Sequence, residues 1–149
     1  MLSLSQTTAY AIMALATIAN REGEFILARE IAERTGIPKP YLSKLIYQMG
    51  DSGLIHTKRG YKGGLSLKRP AREITLLDII KAVEGEVLEG RCILGLPECM
   101  DENPCPMHSF WLVESEKIRE KLLSITLDQL AKAKSGGWRL RNGMISTTF

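Results

Sequence analysis

The chain has 149 residues, of which 44% are hydrophobic and 25% are charged, and it carries a formal net charge of +3. These values are typical of a globular protein with one domain and an extension, or with two small units. No apolar run approaches the roughly 18 residues that a membrane span requires, and the first residues lack the basic and apolar regions of a signal peptide. We therefore expect a cytoplasmic protein with no membrane partner.

The charged residues are distributed unevenly along the chain. Residues 29–72 contain ten Lys and Arg against three Asp and Glu, whereas residues 73–131 contain five against twelve. A basic block inside a folded unit is the electrostatic pattern of a nucleic-acid contact surface. A solvated basic face without a partner gives the same pattern, so charge alone leaves both interpretations open.

Hydrophobic periodicity predicts three helices in the first 52 residues. The first is capped by Ser5 or Thr7 and ends by Gly23, the second spans residues 28–36, and the third spans residues 41–52. A glycine separates the second helix from the third, and prolines precede the third, where a missing backbone N–H costs nothing.

A basic hairpin is predicted after these helices, with strands at residues 54–58 and 65–68 joined by a glycine-rich turn. A shorter apolar run at residues 25–27 is a further candidate strand. Thr75 and Asp78 then have the spacing of a capping arrangement for another helix, which we expect to end at Glu84.

The second half of the chain is predicted to be helical on either side of a cysteine-rich loop. A long helix follows from about residue 109 to residue 124, and a short helix ends near residue 134. The tail beyond it is poor in core residues, and we expect it to be loosely held and flexible. The expected organisation is a DNA-binding domain over residues 1–85, a loop over 86–108, dimerisation and C-terminal helices over 109–134, and a tail over 135–149.

Two short helices, a glycine-containing turn and a basic hairpin are typical of a winged helix-turn-helix, so we predict a mainly α fold with a small β-hairpin wing. In that geometry the second helix enters the major groove of double-stranded DNA. Glycines let the wing backbone approach phosphates or the minor groove, where we expect Arg59. The candidate DNA contacts are Lys39, Tyr41, Ser43, Lys44, Tyr47 and Gln48 on the helix, and Lys58, Arg59, Tyr61 and Lys62 in the wing. A generic helical hairpin of a protein–protein module is the alternative interpretation.

All three cysteines of the chain lie in one loop, as Cys92, Cys99 and Cys105, and His108 follows them. Clustered cysteines in a reducing compartment are more often metal-binding or redox-active than disulfide-bonded. Structural zinc sites usually have two to four residues between paired ligands, whereas six and five residues separate these cysteines. The wider spacing favours an iron–sulfur cluster. Three unconnected thiols and an ordinary helix-start histidine remain the simpler alternatives.

Four segments of the chain match one known pattern. They are the opening L-S-L-S-Q-T-T-A-Y-A, the helix pair I-A-E-R-T-G-I-P-K-P-Y-L-S-K-L, the wing G-L-I-H-T-K-R-G-Y-K-G-G, and the cysteine loop with the later S-I-T-L-D-Q-L. Through them, residues 1–134 resemble the Rrf2 family of bacterial transcription regulators. The resemblance implies a homodimer formed through the helix after the loop, with one winged helix in each subunit and a cluster near the dimer interface. Two symmetric DNA readers imply a pseudo-palindromic operator.

The resemblance also implies a ligand set. Cys92, Cys99 and Cys105 would be cluster ligands, and His108 matches the fourth ligand of the IscR-like branch, which holds a 2Fe–2S cluster. The NsrR-like branch can use an N-terminal aspartate of the partner subunit for a 4Fe–4S cluster, but this chain has no acidic residue before Glu22. That difference favours a 2Fe–2S cluster. The spacing between Cys92 and Cys99 is one residue longer than in those branches, so a 4Fe–4S cluster stays an alternative.

The recognition helix departs from the IscR-like pattern, because Ser43 and Lys44 stand where that branch has Glu and Gln. Its operator sequence is therefore not transferred to this chain. The expected function is a homodimeric DNA-binding regulator that senses iron–sulfur status, redox state or nitric oxide through a cluster. The alternatives are a regulator that uses its thiols for direct redox or zinc sensing and, more remotely, a cluster carrier or thiol enzyme. We expect no enzyme, because the sequence contains neither a Cys-x-x-Cys motif nor a phosphate-binding glycine loop.

Overall fold

The computed structural model describes residues 4–86, 91–97, 99, 101–135, 139–141 and 144–146. In this part of the chain, helices dominate and a two-stranded hairpin follows the first three helices, as the sequence predicted, and a second short strand pair lies near the C-terminus. The elements are α1 (Gln6–Ala19), α2 (Ala28–Thr35), α3 (Lys39–Asp51), β1 (Ile55–Lys58), β2 (Gly64–Leu67), α4 (Leu76–Glu84), α5 (His108–Ser124), α6 (Leu127–Ser135), β3 (Arg139–Arg141) and β4 (Met144–Ser146).

Helix α1 is the centre of the core. The predicted N-cap is confirmed, because the Ser5 side chain accepts a hydrogen bond of 3.2 Å from the Thr8 backbone N–H. Ten of the 14 residues of α1 are buried, so its buried surface is not confined to one face. Elements α2, α3, α4, α6 and β2 all pack around α1, and a helix enclosed on every side is apolar all round.

Helices α2 and α3 form the helix-turn-helix. Gly36 ends α2 in a left-handed conformation with φ of 73°, and its N–H donates to the Ala32 carbonyl oxygen at 2.8 Å. Helix α3 begins at Lys39, two residues before the predicted start, because Pro40 is tolerated in the first turn of a helix. Its apolar stripe faces the core through Leu42, Leu45 and Met49.

The wing is the predicted antiparallel hairpin. Strands β1 and β2 pair in a register that runs from Ile55 opposite Leu67 to Lys58 opposite Gly64. The candidate strand at residues 25–27 is reduced to one bridge, in which Ile26 and Leu65 exchange backbone hydrogen bonds of 2.9 and 2.8 Å. This bridge fixes the wing to the core beside α1.

Helix α4 begins with the predicted capping box. The Asp78 N–H donates to Thr75 Oγ1 at 3.1 Å, and the Thr75 N–H donates to Asp78 Oδ2 at 2.9 Å. Beside this cap, the chain returns from α5 to the core through a single bridge between Thr75 and Thr126. Helix α6 then packs against α1.

Helix α5 is the least enclosed of the helices. His108 is its one buried residue, and five of its large apolar side chains are exposed. Beyond α6, strands β3 and β4 pair with Arg139 opposite Ser146, an addition that the sequence pattern did not predict. No helix in the described segments has the length and apolar character needed to cross a membrane.

Candidate functional site

The outer face of α3 carries five of its six predicted DNA contacts. Lys39, Tyr41, Ser43, Lys44 and Tyr47 are all exposed. Tyr47 is 73% exposed, and Tyr41 is partly held by an edge-on contact with Tyr10, at 5.7 Å between ring centroids. Because the apolar stripe of α3 is buried in the core, the opposite face of the helix is exposed, and this face is polar and cationic.

Gln48 is placed differently from those five side chains. Its Nε2 donates to the Val83 carbonyl oxygen of α4 at 3.2 Å. Its Oε1 is buried and has no hydrogen-bond partner among the described residues. The side chain thus lies between α3 and α4 and is turned inwards, a placement that depends on tertiary packing and that the helix pattern did not reveal.

The wing presents all four of its predicted residues, Lys58, Arg59, Tyr61 and Lys62, to solvent. Lys58 Nζ lies 5.5 Å from the ring centroid of Phe25, and Lys62 Nζ lies 5.6 Å from that of Tyr61. These ring contacts hold the cations without neutralising them.

The cations of this face have no carboxylate partner within the described ranges. This holds for Lys39 and Lys44 on α3 and for Lys58, Arg59 and Lys62 in the wing. Arg21, by contrast, binds both Glu24 and Glu30. Unpaired cations on a helix and an adjacent wing are suited to bind the phosphates of a duplex.

The three cysteines and His108 meet at one cavity of about 360 Å³. The thiols are free and half-buried. The cavity is lined by Cys92, Leu96, Pro97, Cys99, Asn103, Cys105 and His108. The four residues that the sequence singled out as ligands are therefore neighbours in space.

His108 is oriented by contacts on both sides of its ring. Nδ1 lies 3.1 Å from Cys99 Sγ, and Nε2 lies 2.9 Å from Asp101 Oδ1. The backbone N–H of His108 also donates to the Cys105 carbonyl oxygen at 3.0 Å, at the first turn of α5. Sequence reasoning missed Asp101, because an exposed acidic residue in a loop has no local pattern that marks it as a partner of histidine.

The electrostatics of the loop favour a positively charged occupant. Partial burial raises the pKa of the Cys99 thiol, and the neighbouring Cys92, Cys105 and Asp101 raise it further. A metal centre beside Cys99 would offset this effect and stabilise its thiolate form.

The donor set fits an iron–sulfur cluster. Soft thiolates with an imidazole suit such clusters, and each iron of a 2Fe–2S cluster takes only two protein ligands. Among the described residues, no three His, Cys, Asp or Glu side chains converge on the position of a single ion. Three thiols and an imidazole are nevertheless donors of the type that an iron–sulfur cluster takes.

The cysteine loop and the helix that precedes it are each held by hydrogen bonds to another helix. Trp111 of α5 donates from Nε1 to the Arg91 carbonyl oxygen at 2.7 Å, directly before Cys92. At the end of α4, the Glu84 carboxylate accepts hydrogen bonds from the Ser5 and Thr8 hydroxyls of the α1 N-terminus.

A family model and a similar known protein both place the chain in the same family. The family described as Rrf2, iron-dependent transcriptional regulator, matches residues 4–133. The chain is 36% identical over 127 residues to the transcriptional regulator IscR of Pectobacterium atrosepticum, covering 84% of this chain and 76% of that protein.

Two solved structures are similar to this chain along most of their length. T. potens IscR has a TM-score of 0.72 at 28% identity, covering 99% of this chain and 94% of that one. CymR, the global cysteine regulator of B. subtilis, has a TM-score of 0.75 at 25% identity, covering 89% and 98%.

Proposed function

Because this chain belongs to the Rrf2 family of iron-dependent transcriptional regulators, we propose that it is a homodimer whose DNA binding depends on an iron–sulfur cluster held in the cysteine cavity. Regulators of this family bind DNA, and the relatives are named as transcription regulators, so the chain is a regulator and not an enzyme. The observation that carries the proposal is the meeting of all three cysteines and His108 at one cavity. A regulator of this kind acts in the cytoplasm.

The DNA-reading face consists of the exposed side of α3 and the tip of the wing. In a winged helix, α3 lies in the major groove and the wing approaches the flanking minor groove. Lys39, Lys44, Lys58, Arg59 and Lys62 are unpaired within the described segments, so they are free to displace counterions from phosphates. Gln48 is left out of this contact set because its amide is engaged with α4.

A second copy of the chain is the proposed partner of α5. This helix exposes Phe110, Leu112, Val113, Ile118 and Leu123, each at least 40% accessible. Apolar side chains in this number on one helix are typical of a buried protein interface. A symmetric pair of helices would bury them and present two DNA readers to a pseudo-palindromic operator.

The cofactor proposed for the cavity is a 2Fe–2S cluster with Cys92, Cys99, Cys105 and His108 as ligands, and a 4Fe–4S cluster is the alternative. Such a centre supplies a redox-active, ligand-exchangeable group whose presence reports iron supply, redox state or nitric oxide. The three thiolates and the imidazole would hold it, and Leu96 and Pro97 form an apolar wall of the cavity.

The proposed route from this cavity to DNA passes through α4. The loop leaves the end of α4, where the Val83 carbonyl accepts from Gln48 of α3 and Glu84 accepts from Ser5 and Thr8 of α1. Ordering of the loop would therefore act on α3 through these contacts. Ordering of the loop can change DNA affinity only by as much as the ordered and unordered forms differ in their free energy of DNA binding.

The experiment that tests the proposal is anaerobic purification with a visible absorption spectrum and quantitation of iron and sulfide. We expect a visible chromophore with iron and sulfide in equal amounts, and its loss in Cys99→Ala while the variant stays folded. Protein without iron, sulfide or visible absorbance would refute the cluster proposal.

Direct thiol sensing is the second candidate function. It is favoured by the 3.1 Å contact between Cys99 Sγ and His108 Nδ1. Zinc bound by the same loop is a related possibility. Analysis of metal and sulfide separates the three hypotheses. A cluster protein contains iron and sulfide, a zinc protein contains zinc without sulfide, and direct thiol sensing requires neither metal nor sulfide.

A further inference from the structure

Three polar groups of the cysteine loop form a continuous chain of contacts. The Asp101 carboxylate lies 2.9 Å from His108 Nε2, and His108 Nδ1 lies 3.1 Å from Cys99 Sγ. The histidine side chain is only 10% exposed, whereas that of Asp101 is 89% exposed. A solvent-facing carboxylate thus reaches a nearly buried imidazole on the side opposite to the thiol.

The contact with Asp101 decides where the imidazole proton lies. An ionised carboxylate can only accept hydrogen bonds, so the ring nitrogen facing it must carry the hydrogen. In neutral histidine the other nitrogen then has a free lone pair. That nitrogen is Nδ1, which lies 3.1 Å from Cys99 Sγ and belongs to a ring that lines the cavity.

We propose that Asp101 is a positioning residue that holds His108 in the Nε2–H form and presents Nδ1 as the nitrogen donor to the cysteine cavity. Carboxylates behind metal-binding histidines fix ring orientation and increase ligand basicity in this way. The role in cofactor binding rests on the proposed function, whereas the tautomer is a property of the chain itself.

Glu102 provides a matched control. It is the next residue along the loop, it is an exposed carboxylate like Asp101, and no ion pair joins it to His108 in the described part of the chain. Substitution of either acid removes one negative charge from the same loop, so an effect of general loop charge appears in both variants.

The first test is performed on reduced, cluster-free protein labelled with ¹⁵N in histidine. Two-bond ¹H–¹⁵N correlation spectra at mildly alkaline pH identify the tautomer of each neutral imidazole. The chain has two histidines, so a His56→Gln variant assigns the remaining signal to His108. We expect the Nε2–H tautomer in the wild type and in Glu102→Ala, and a mixture of tautomers in Asp101→Ala.

An Nδ1–H form in the wild type, or an unchanged spectrum in Asp101→Ala, would overturn the proposal. Because this test requires no cofactor, it decides on Asp101 even if the protein binds no cluster. Failure of all variants to take up iron and sulfide would refute the proposed function and leave the tautomer result standing.

The second test uses reconstituted protein and an iron chelator. Loss of a carboxylate behind a metal-binding histidine typically weakens metal binding by about 10- to 100-fold. We expect cluster loss about tenfold faster in Asp101→Ala than in wild type or Glu102→Ala. Equal rates in all three proteins would show that His108 is not held for cofactor binding by Asp101. Pulsed EPR of the reduced cluster, with ¹⁵N only at histidine Nδ1, should detect a directly bound nitrogen, and the absence of that coupling would contradict Nδ1 as the donor.

Discussion

Gln48 of α3 donates a hydrogen bond of 3.2 Å from its Nε2 to the carbonyl oxygen of Val83, the penultimate residue of α4. The side chain crosses from the DNA-reading helix to the helix that leads into the cysteine loop. Its Oε1 is buried without a partner in the described part of the chain. A buried amide that is half satisfied adds little stability, so substitution of Gln48 tests the proposed route through α4 without unfolding the protein.

Replacing Gln48 with Met should uncouple DNA binding from the cofactor. The volume is similar and the unpaired amide oxygen disappears, so we expect a melting temperature within a few degrees of wild type. Coupling free energies between sites are typically about 1–3 kcal/mol, and the ratio of loaded to cluster-free DNA affinity should fall towards one. Lys44→Gln is the control, because loss of an exposed cation weakens both forms alike. An unchanged ratio in Gln48→Met would exclude this route.

Removing wing cations should weaken DNA binding together with its salt dependence. Arg59→Ala, Lys58→Ala and Lys62→Ala should each reduce the slope of log affinity against log salt by about one if the side chain contacts a phosphate. Lys132→Ala is the control, since Lys132 is an exposed lysine on α6 that pairs with Asp128 at 2.8 Å. Slopes that stay at the wild-type value in all three wing variants would remove the wing from the interface.

Gly64→Ala should destabilise the wing. The residue has φ of 140°, and a Cβ there would lie 2.5 Å from the Ile26 carbonyl oxygen. We expect a loss of about 1–3 kcal/mol in the free energy of unfolding, measured by urea denaturation. Gly60→Ala is the matched control, because its φ is 86° but no atom lies within 4 Å of its added Cβ. If both variants lose equal stability, backbone conformation alone accounts for the effect, and the close approach to Ile26 does not.

Lys134 should make stability depend on alkaline pH. Burial, with a contribution from Arg34, lowers its pKa from 10.5 to about 8, and its Nζ donates to the Met13 carbonyl oxygen and to Thr17. Between these values the unfolded chain binds a proton that the folded chain has released. The contribution of Lys134 to the free energy of unfolding therefore increases as pH rises from about 8 to 10.5 and is constant below that window.

The comparison of wild type with Lys134→Met isolates this effect, because all other titratable groups are present in both proteins. Urea unfolding across the window should show wild type gaining stability relative to the variant. Partial exposure screens the lysine, so we expect a gain of about 1 kcal/mol. A constant difference across the window would contradict the lowered pKa.

A charge placed on the exposed face of α5 should prevent dimerisation. Phe110 is 55% exposed, so Phe110→Glu should leave the fold intact, and sedimentation should show a monomer with DNA affinity reduced by at least tenfold, because two linked readers become one. Phe25→Glu, at a 41% exposed phenylalanine beside the wing, should remain dimeric. A dimeric Phe110→Glu variant would place the interface elsewhere.

Local sequence signals predicted the features that are determined locally. The Thr75 and Asp78 capping box lies within four consecutive residues, and the Gly36 turn needs only one residue that adopts positive φ. The all-round burial of α1 depends on five elements from distant parts of the chain, so no periodicity within α1 could reveal it.

The candidate site likewise combines features that the sequence predicted with contacts that it did not. Cysteine spacing identified the loop, because ligand type and separation are properties of the sequence itself. Asp101 and Gln48 were not recognised as structural contacts, since the partner of Gln48 is 35 residues away and the partner of Asp101 is fixed only when the loop folds back on α5. Side-chain contacts of this kind depend on tertiary placement and leave no periodic pattern.

In the proposed function, the state of the cysteine cavity controls how the paired winged helices bind DNA. The decisive measurement is the affinity of loaded and cluster-free protein, at matched ionic strength, for duplex sites selected from random DNA by each form. We expect the two forms to differ at least fivefold in affinity for one selected site, or to select different sites. Identical sites bound with identical affinity and identical salt dependence would contradict it.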